Sequence, residues 1–229
     1  MTTRTPDNTR DRLLTEAENL FAQKGFAAVS VREITTAANS NLAAVNYHFG
    51  NKMNLYLSVF RERWVPRAHE VSRYFKKCLA QKTDPDTADM VRALAMGFLE
   101  GAMTEEERRC NINLMLRELT HPTEAVNIVV KEVIRPMHND IRRIIRPSLP
   151  ETMNSEQLAL SIFSIISMIL YFGFAQPVVS LVMDQQFDPN FKSRVIDHIV
   201  SFAMTGINGK INDPAHEAAG AMMTKESIQ

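Results

Sequence analysis

Hydrophobic positions recur at helical spacing along almost the whole chain. Leu13, Leu14, Ala17, Leu20 and Phe21 fall at intervals of three and four, the apolar face of an amphipathic helix. Gly25, just past Lys24, stops that helix as a C-terminal glycine does. Ser30 then precedes Val31-Arg32-Glu33-Ile34, and a serine with a glutamate three residues on is a capping box opening a second, short helix. Asn39 tolerates the left-handed backbone of a tight turn, and Ser40 or Asn41 can cap a third helix over Leu42–Phe49. Gly50 ends it and Asn51 starts a fourth. Three helices with a short turn between the last two predict a helix-turn-helix unit.

The fourth helix is expected to run from Asn51 to Leu79 with a bend at Pro66. Thr83-Asp84-Pro85-Asp86 reads as a turn, and further helices are expected over 87–103, 105–119, 122–146, 155–175 and 189–207. Pro136 should bend the third of these, and Pro147 and Pro150 bracket a loop. Residues 209–229 have no apolar period and read as a flexible tail. With no alternating strand pattern and no repeat, the fold class is all-α. Its organisation is a small head, 1–52, on a larger helical body, 53–208. One stretch needs separate treatment, since no charged residue falls between Gln157 and Met183. A membrane span could be that apolar. However, no basic cluster flanks the run, Ser161, Ser164 and Ser167 recur every three residues, and Gly173 and Pro177 interrupt its far end. A helix buried in a core or a dimer interface is the preferred reading, with no membrane partner.

Composition adds little to the fold but sharpens the charge. The 229 residues are 45% apolar and 23% charged, ordinary globular values that exclude a disordered chain. The 26 basic and 26 acidic residues cancel. Residues 1–82 nevertheless carry 13 Lys/Arg against 7 Asp/Glu, a net of +6, and the remainder carries −6. A basic head on an acidic body points to an anionic partner for the head, nucleic acid among the candidates. Cys78 and Cys110 make neither a disulfide framework nor a zinc cluster. That composition and the polar N-terminus suit the cytoplasm.

Catalytic constellations are missing from the sequence. It has no phosphate-binding glycine loop and no His-Glu-x-x-His, and the histidines at 48, 69, 121, 138, 198 and 216 lack the i,i+4 pairing of a helix-borne metal site. No enzyme activity, cofactor or metal is expected. His69 and His121 read as surface or capping groups, and Gly97 and Gly101 as a site of tight helix packing. Thirteen methionines, concentrated between Met90 and Met183, suit either an adaptable apolar pocket or an irregular core.

Residues 8–60 carry a more specific signal. The succession LFAQKGF, SVREI and NLAAVNYHFGNKMNLY, with Tyr47-His48-Phe49 followed by Lys52 and Leu55, closely resembles the DNA-binding head of the TetR family of bacterial transcriptional regulators. The resemblance implies a homodimer that binds a palindromic double-stranded DNA operator and is usually a repressor released by a small molecule. A ligand-independent architectural DNA binder and an activator stay open as alternatives. The third helix would enter the major groove. It has no Lys or Arg, hence no bidentate reader of guanine. Leu42, Ala43 and Ala44 could pack on thymine methyls and Asn46 could read adenine, with Asn41 at the helix start. Tyr47 and His48 match family positions that touch phosphate or the outer bases. Arg32 is the candidate for a direct base contact, Ser30 for a phosphate at a helix start, and Lys52 matches the family's phosphate anchor.

The body segments ELTHPTEAV, EVIRPMHNDIRRII, ILYFGFAQPVV and DHIVSFAMTGI resemble those of the CecR-like branch of the family. The head is also similar to that of PsrA-type regulators, which answer long-chain fatty acids. The implied ligand is small and largely apolar. Dimerisation is expected through helices 155–175 and 189–207, with Ser164, Met168, Tyr171 and Phe172 at the interface or facing the pocket.

Overall fold

The computed structural model describes residues 6–101, 103–149 and 153–208, so the expected tail at 209–229 lies outside the described residues. The described chain is helical throughout. Helices α1 (Pro6–Lys24), α2 (Val31–Ala37) and α3 (Leu42–Phe49) form the head, and α4 (Lys52–Val59) leads out of it. A π-helical turn, Phe60–Trp64, joins α4 to α5 (Val65–Ala80). Next come α6 (Thr87–Leu99), α7 (Glu105–Thr120) and α8 (Ala125–Val129). A second π-helical turn, Val130–Ile134, leads into α9 (Arg135–Ile145), then α10 (Ser155–Phe174), α11 (Gln176–Met183) and α12 (Pro189–Asn208).

Both π-turns sit immediately before an X-Pro step. Pro66 and Pro136 lie at the first or second position of the α-helical segment that follows each. A proline inside a helix has no N–H for the carbonyl four residues back, and its ring collides with that carbonyl. Widening the turn by one residue relieves the collision: Val65 donates to Phe60 and Arg135 to Val130, five residues back in each case. Pro136 leaves the Glu132 carbonyl without its ordinary partner, and His69 Nε2 donates to it from α5 (3.0 Å). The expected bends at Pro66 and Pro136 therefore take the form of π-turns, and His69 is the capping group the sequence suggested.

Elsewhere the boundaries differ locally. The helix expected from 87 to 103 ends at Leu99. There the buried Arg108 guanidinium donates to the Phe98 and Met103 carbonyls, the latter at 3.2 Å. The helix expected from 122 begins at Ala125, whose N–H is held by the Thr123 hydroxyl (3.1 Å). Pro177 does not merely interrupt the uncharged run. It opens α11, an element the pattern did not separate, which ends on Asp184 in left-handed backbone (φ 48°).

Packing divides the core into two apolar clusters. One joins the head to α7 and α8: Leu13, Phe21, Ile34, Val45, Leu55 and Phe60 pack with Leu114, Ile128 and Val129. The other surrounds α6, whose Met90, Leu94 and Leu99 are fully buried among α5, α9, α10 and α12. The apolar packing thus runs on past residue 52 through α4 to Val65.

Gly97 marks a close approach of α6 to α5 in that second cluster. A Cβ there would lie 3.1 Å from the Val71 carbonyl oxygen on α5. Overpacking a fixed backbone contact costs about 1–3 kcal/mol. Gly97→Val is expected to lower the urea midpoint accordingly, while a substitution at the exposed Thr36 leaves it in place.

Candidate nucleic-acid interface

Local caps build the helix-turn-helix. Ser30 Oγ accepts from the Glu33 N–H (3.1 Å) and Glu33 Oε2 accepts from the Ser30 N–H (2.9 Å), closing the predicted capping box. The turn after α2 passes through Asn39 in left-handed backbone (φ 45°), with Ser40 N–H bonded to Thr35 O (2.8 Å). Asn41, rather than Ser40, caps α3, accepting from Ala44 N–H (3.0 Å). Asn51 caps α4 in the same way through Asn54 (2.8 Å). Gly50, at φ 80°, makes the bend between them.

These caps fix which side of α3 faces out. Val45 and Phe49 are buried in the head core, whereas Tyr47 is 83% exposed and Leu42 45% exposed. Asn46 and Ala43 are exposed too, Ala44 and His48 are half-buried, and the Tyr47 and His48 rings meet edge to face at 4.9 Å. Arg32 projects from α2 and makes no ion pair among the described residues. Of the predicted contacts, Ser30 and Asn41 already have their side-chain oxygens committed to helix caps. The Ser30 hydroxyl lies 3.1 Å from Glu33 Oε2 as well. Lys52, at the first position of α4, lies with Nζ 4.4 Å from the Phe26 ring centroid. Burial draws its ammonium below the ordinary lysine range, against the opposing pull of the Glu33 carboxylate. Glu33 itself is drawn down to about 2, first by the Ser30 N–H and then by Lys24. Lys24, Phe26 and Glu33 therefore belong to this surface, though sequence singled out only Glu33, and only as a cap.

The head is tied to the body through polar contacts that no sequence pattern announced. Tyr56 of α4 donates to Glu118 of α7 (2.6 Å), a carboxylate with no exposed surface. Glu118 also accepts from the Thr123 hydroxyl (2.9 Å) and N–H (3.0 Å). Burial, and then the hydrogen bond to Glu118, push the Tyr56 phenol well above its ordinary value. Trp64 Nε1 donates to the Asn111 carbonyl (2.9 Å). Arg67 pairs with the buried Glu18 of α1 and lies 3.5 Å from Glu107. Cys110 sits against Glu18, its thiol pushed up to about 12 by burial and by that carboxylate. Arg117 donates to the Ala22 carbonyl (3.0 Å) and to that of Gln23 at the end of α1, beside an open cleft of about 320 Å³. Apart from Glu118 and Thr123, the paired groups lie 40 to 95 positions apart in sequence.

On the body, α10 separates the four residues that sequence left undivided. Ser164 and Tyr171 face outwards, with Leu160, Phe163 and Phe174 exposed beside them. Met168 and Phe172 pack against the body core with Ile162, Ile165 and Ile169. Helix α10 is long and apolar enough to cross a membrane (mean hydropathy 1.9), and only 22% of that window is buried within the chain. It is therefore an outer helix with one face covered, not the buried core helix that was one of the sequence expectations. Among the described residues, no group of three or more His, Cys, Asp or Glu side chains could hold a metal ion.

Comparison with known proteins agrees with this geometry. The family of bacterial regulatory proteins of the TetR type matches residues 13–59, the capped helices described above. The C-terminal domain of the HTH-type transcriptional dual regulator CecR matches residues 88–207, more than half the chain. The chain belongs to the TetR family of transcriptional regulators. CecR of Shigella flexneri is 28% identical over 185 residues, covering 76% of this chain and 80% of CecR. The transcriptional repressor AcnR of Corynebacterium glutamicum is 36% identical over 67 residues, 29% of this chain and 36% of AcnR. Among solved structures, a TetR-family regulatory protein from Rhodococcus RHA1 shares the fold with a TM-score of 0.62 at 17% identity. The match covers 85% of this chain and 96% of that one. Members of this family are DNA-binding regulators, and the head is the DNA-binding element.

The joint between head and body is open to a direct test. Tyr56→Phe removes a donor from a fully buried carboxylate, a loss worth about 1–3 kcal/mol. The variant is expected to unfold at correspondingly lower urea concentration, with helix content unchanged by circular dichroism.

Proposed function

We propose that the protein is a homodimeric repressor in the cytoplasm that holds a palindromic operator with its two heads. It releases the operator when a small, largely apolar molecule occupies the body. The observation that carries this reading is the outer face of α3: Leu42, Asn46 and Tyr47 stand exposed on a helix capped at both ends, beside Lys52. In the major groove Leu42 and Ala44 meet thymine methyls, Asn46 meets adenine and Arg32 a base edge, while Tyr47 and His48 reach phosphate or outer bases. Lys52 anchors a phosphate. The backbone at the starts of the helices capped by Ser30 and Asn41 positions the head, since the cap oxygens themselves are engaged.

The dimer places the exposed side chains Leu160, Phe163, Ser164, Tyr171 and Phe174 of α10, with Phe202 of α12, against their symmetry mates. Such an isologous bundle needs upwards of roughly 2,000 Å². It sets two heads near the roughly 34 Å spacing of one DNA turn. A ligand shifts the operator-bound state only by its differential affinity for the two states. The α4–α5 segment, bent before Pro66, is the lever that would carry the shift, and Met168 and Phe172 lie on the side of α10 that packs on the body core. The similarity of the head to a repressor supports repression. Activation in addition is a second reading, supported by the match of the body to a dual regulator.

Selection of random duplexes by the purified protein is expected to yield a palindrome that survives near-physiological salt. Featureless enrichment that vanishes with salt would refute the operator. On that duplex Arg32→Ala and Tyr47→Ala should each cost about 1–3 kcal/mol of binding. Lys52→Ala should weaken all sequences alike and reduce the salt slope by about one. Ser164→Arg should convert dimer to monomer in light scattering and abolish operator binding; a dimer that persists would rule out this interface.

A further inference from the structure

Glu33 stands beside the groups that the operator reading sets against phosphate, and it is held there from two elements. Its Oε2 accepts from the Ser30 N–H (2.9 Å) and lies 3.1 Å from the Ser30 hydroxyl, while its Oε1 accepts from Lys24 Nζ at the end of α1 (2.9 Å). Those donors keep it a carboxylate at any pH where DNA binding is measured. Its charge also reaches the Lys52 ammonium seated on Phe26. Capping alone does not need that charge, because glutamine at the same position also completes a capping box.

The carboxylate thus takes two groups out of use. The Lys24 ammonium is neutralised in an ion pair, and the Ser30 hydroxyl is turned towards Glu33. Arg32, one position earlier on α2, is left uncompensated among the described residues. Sequence-independent affinity for DNA is set almost wholly by how many phosphates the protein's cations neutralise, whereas base-edge contacts carry the discrimination.

We propose that Glu33 is an electrostatic brake on the head: by withholding Lys24 from backbone phosphate, it lowers affinity for DNA of any sequence and keeps the complex weak enough to be released. The proposal rests on the operator-binding reading above. It makes Glu33 an affinity-setting residue that touches no base, acting through Lys24.

Fluorescence anisotropy of the full-length protein on its selected operator and on a random-sequence duplex, over a salt series, tests it. Glu33→Gln keeps the cap and removes the charge. It should tighten binding to both duplexes about five- to tenfold near 0.1 M salt, the effect of roughly one additional released counterion, and steepen the salt slope by about one. Lys24→Gln added to Glu33→Gln should cancel that gain. Lys24→Gln alone should weaken both duplexes by leaving the Glu33 charge unpaired. Affinity and slope of Glu33→Gln equal to those of the parent overturn the brake, and so does a gain that persists without Lys24. Should Glu33→Gln fail to fold, Lys24→Gln alone decides: weaker binding at an unchanged salt slope upholds the proposal, and unchanged binding, or a slope reduced by about one, overturns it. A parent that selects no duplex defeats the operator reading and the brake with it, whereas a parent that binds beside an unchanged Glu33→Gln defeats the brake alone.

Discussion

A carboxylate with no exposed surface and no cation bonded to it must collect its hydrogen bonds from whatever packs around it. Glu118 collects them from two sides of the molecule. Tyr56 reaches it from the helix leaving the head, and Thr123 closes over it from the turn between α7 and α8. Losing either donor would strand charge in an apolar surround, so the three elements can move together more cheaply than apart. The other polar contacts across the joint follow the same geometry. Arg67 crosses from α5 to Glu18 on α1, and Arg117 closes the carbonyl end of α1. The head is therefore not a bead on a linker, and the cluster that fills it extends through α7 and α8.

That continuity makes the two prolines consequential. Pro66 and Pro136 each force the helix before them into a wider turn, and the two widened stretches lie against neighbouring helices of the joint. His69 fastens α5 to the second of them by supplying the hydrogen bond that Pro136 cannot. A segment that links the recognition surface to the body is thus bent at a defined place yet hydrogen-bonded on its far side.

The surface shows the opposite economy. Helix α3 leaves a tyrosine and a leucine in water, and α10 to α12 leave a row of apolar side chains uncovered, Leu181 at 84% among them. Apolar side chains at this density on an outer face mark a surface for interaction. The two faces differ in chemistry. The head face mixes apolar tips with cations and a carboxylate, while the α10 face carries serines, aromatics and no charge.

Much of this was legible in one dimension. The capping box at Ser30 and Glu33, the asparagine turn, the glycine stops and the three–four apolar period are local signals, because each depends on residues within one helical turn of one another. They determined the all-helical class and the helix-turn-helix. Helix ends at Leu99 and Ala125 were less legible, being decided by Arg108 and Thr123 acting on backbone groups that no local rule identifies. α11 was hidden because a charge-free stretch has no polar face to mark its period. Only the tertiary structure decided that Ser164 and Tyr171 face out while Met168 and Phe172 face in, since both faces of α10 are apolar. Only it joined Tyr56 to Glu118, Glu18 to Arg67, and Glu33 to Lys24. Pairing between distant charges depends on which helices meet, and that is set by the packing of the whole core rather than by any stretch of sequence.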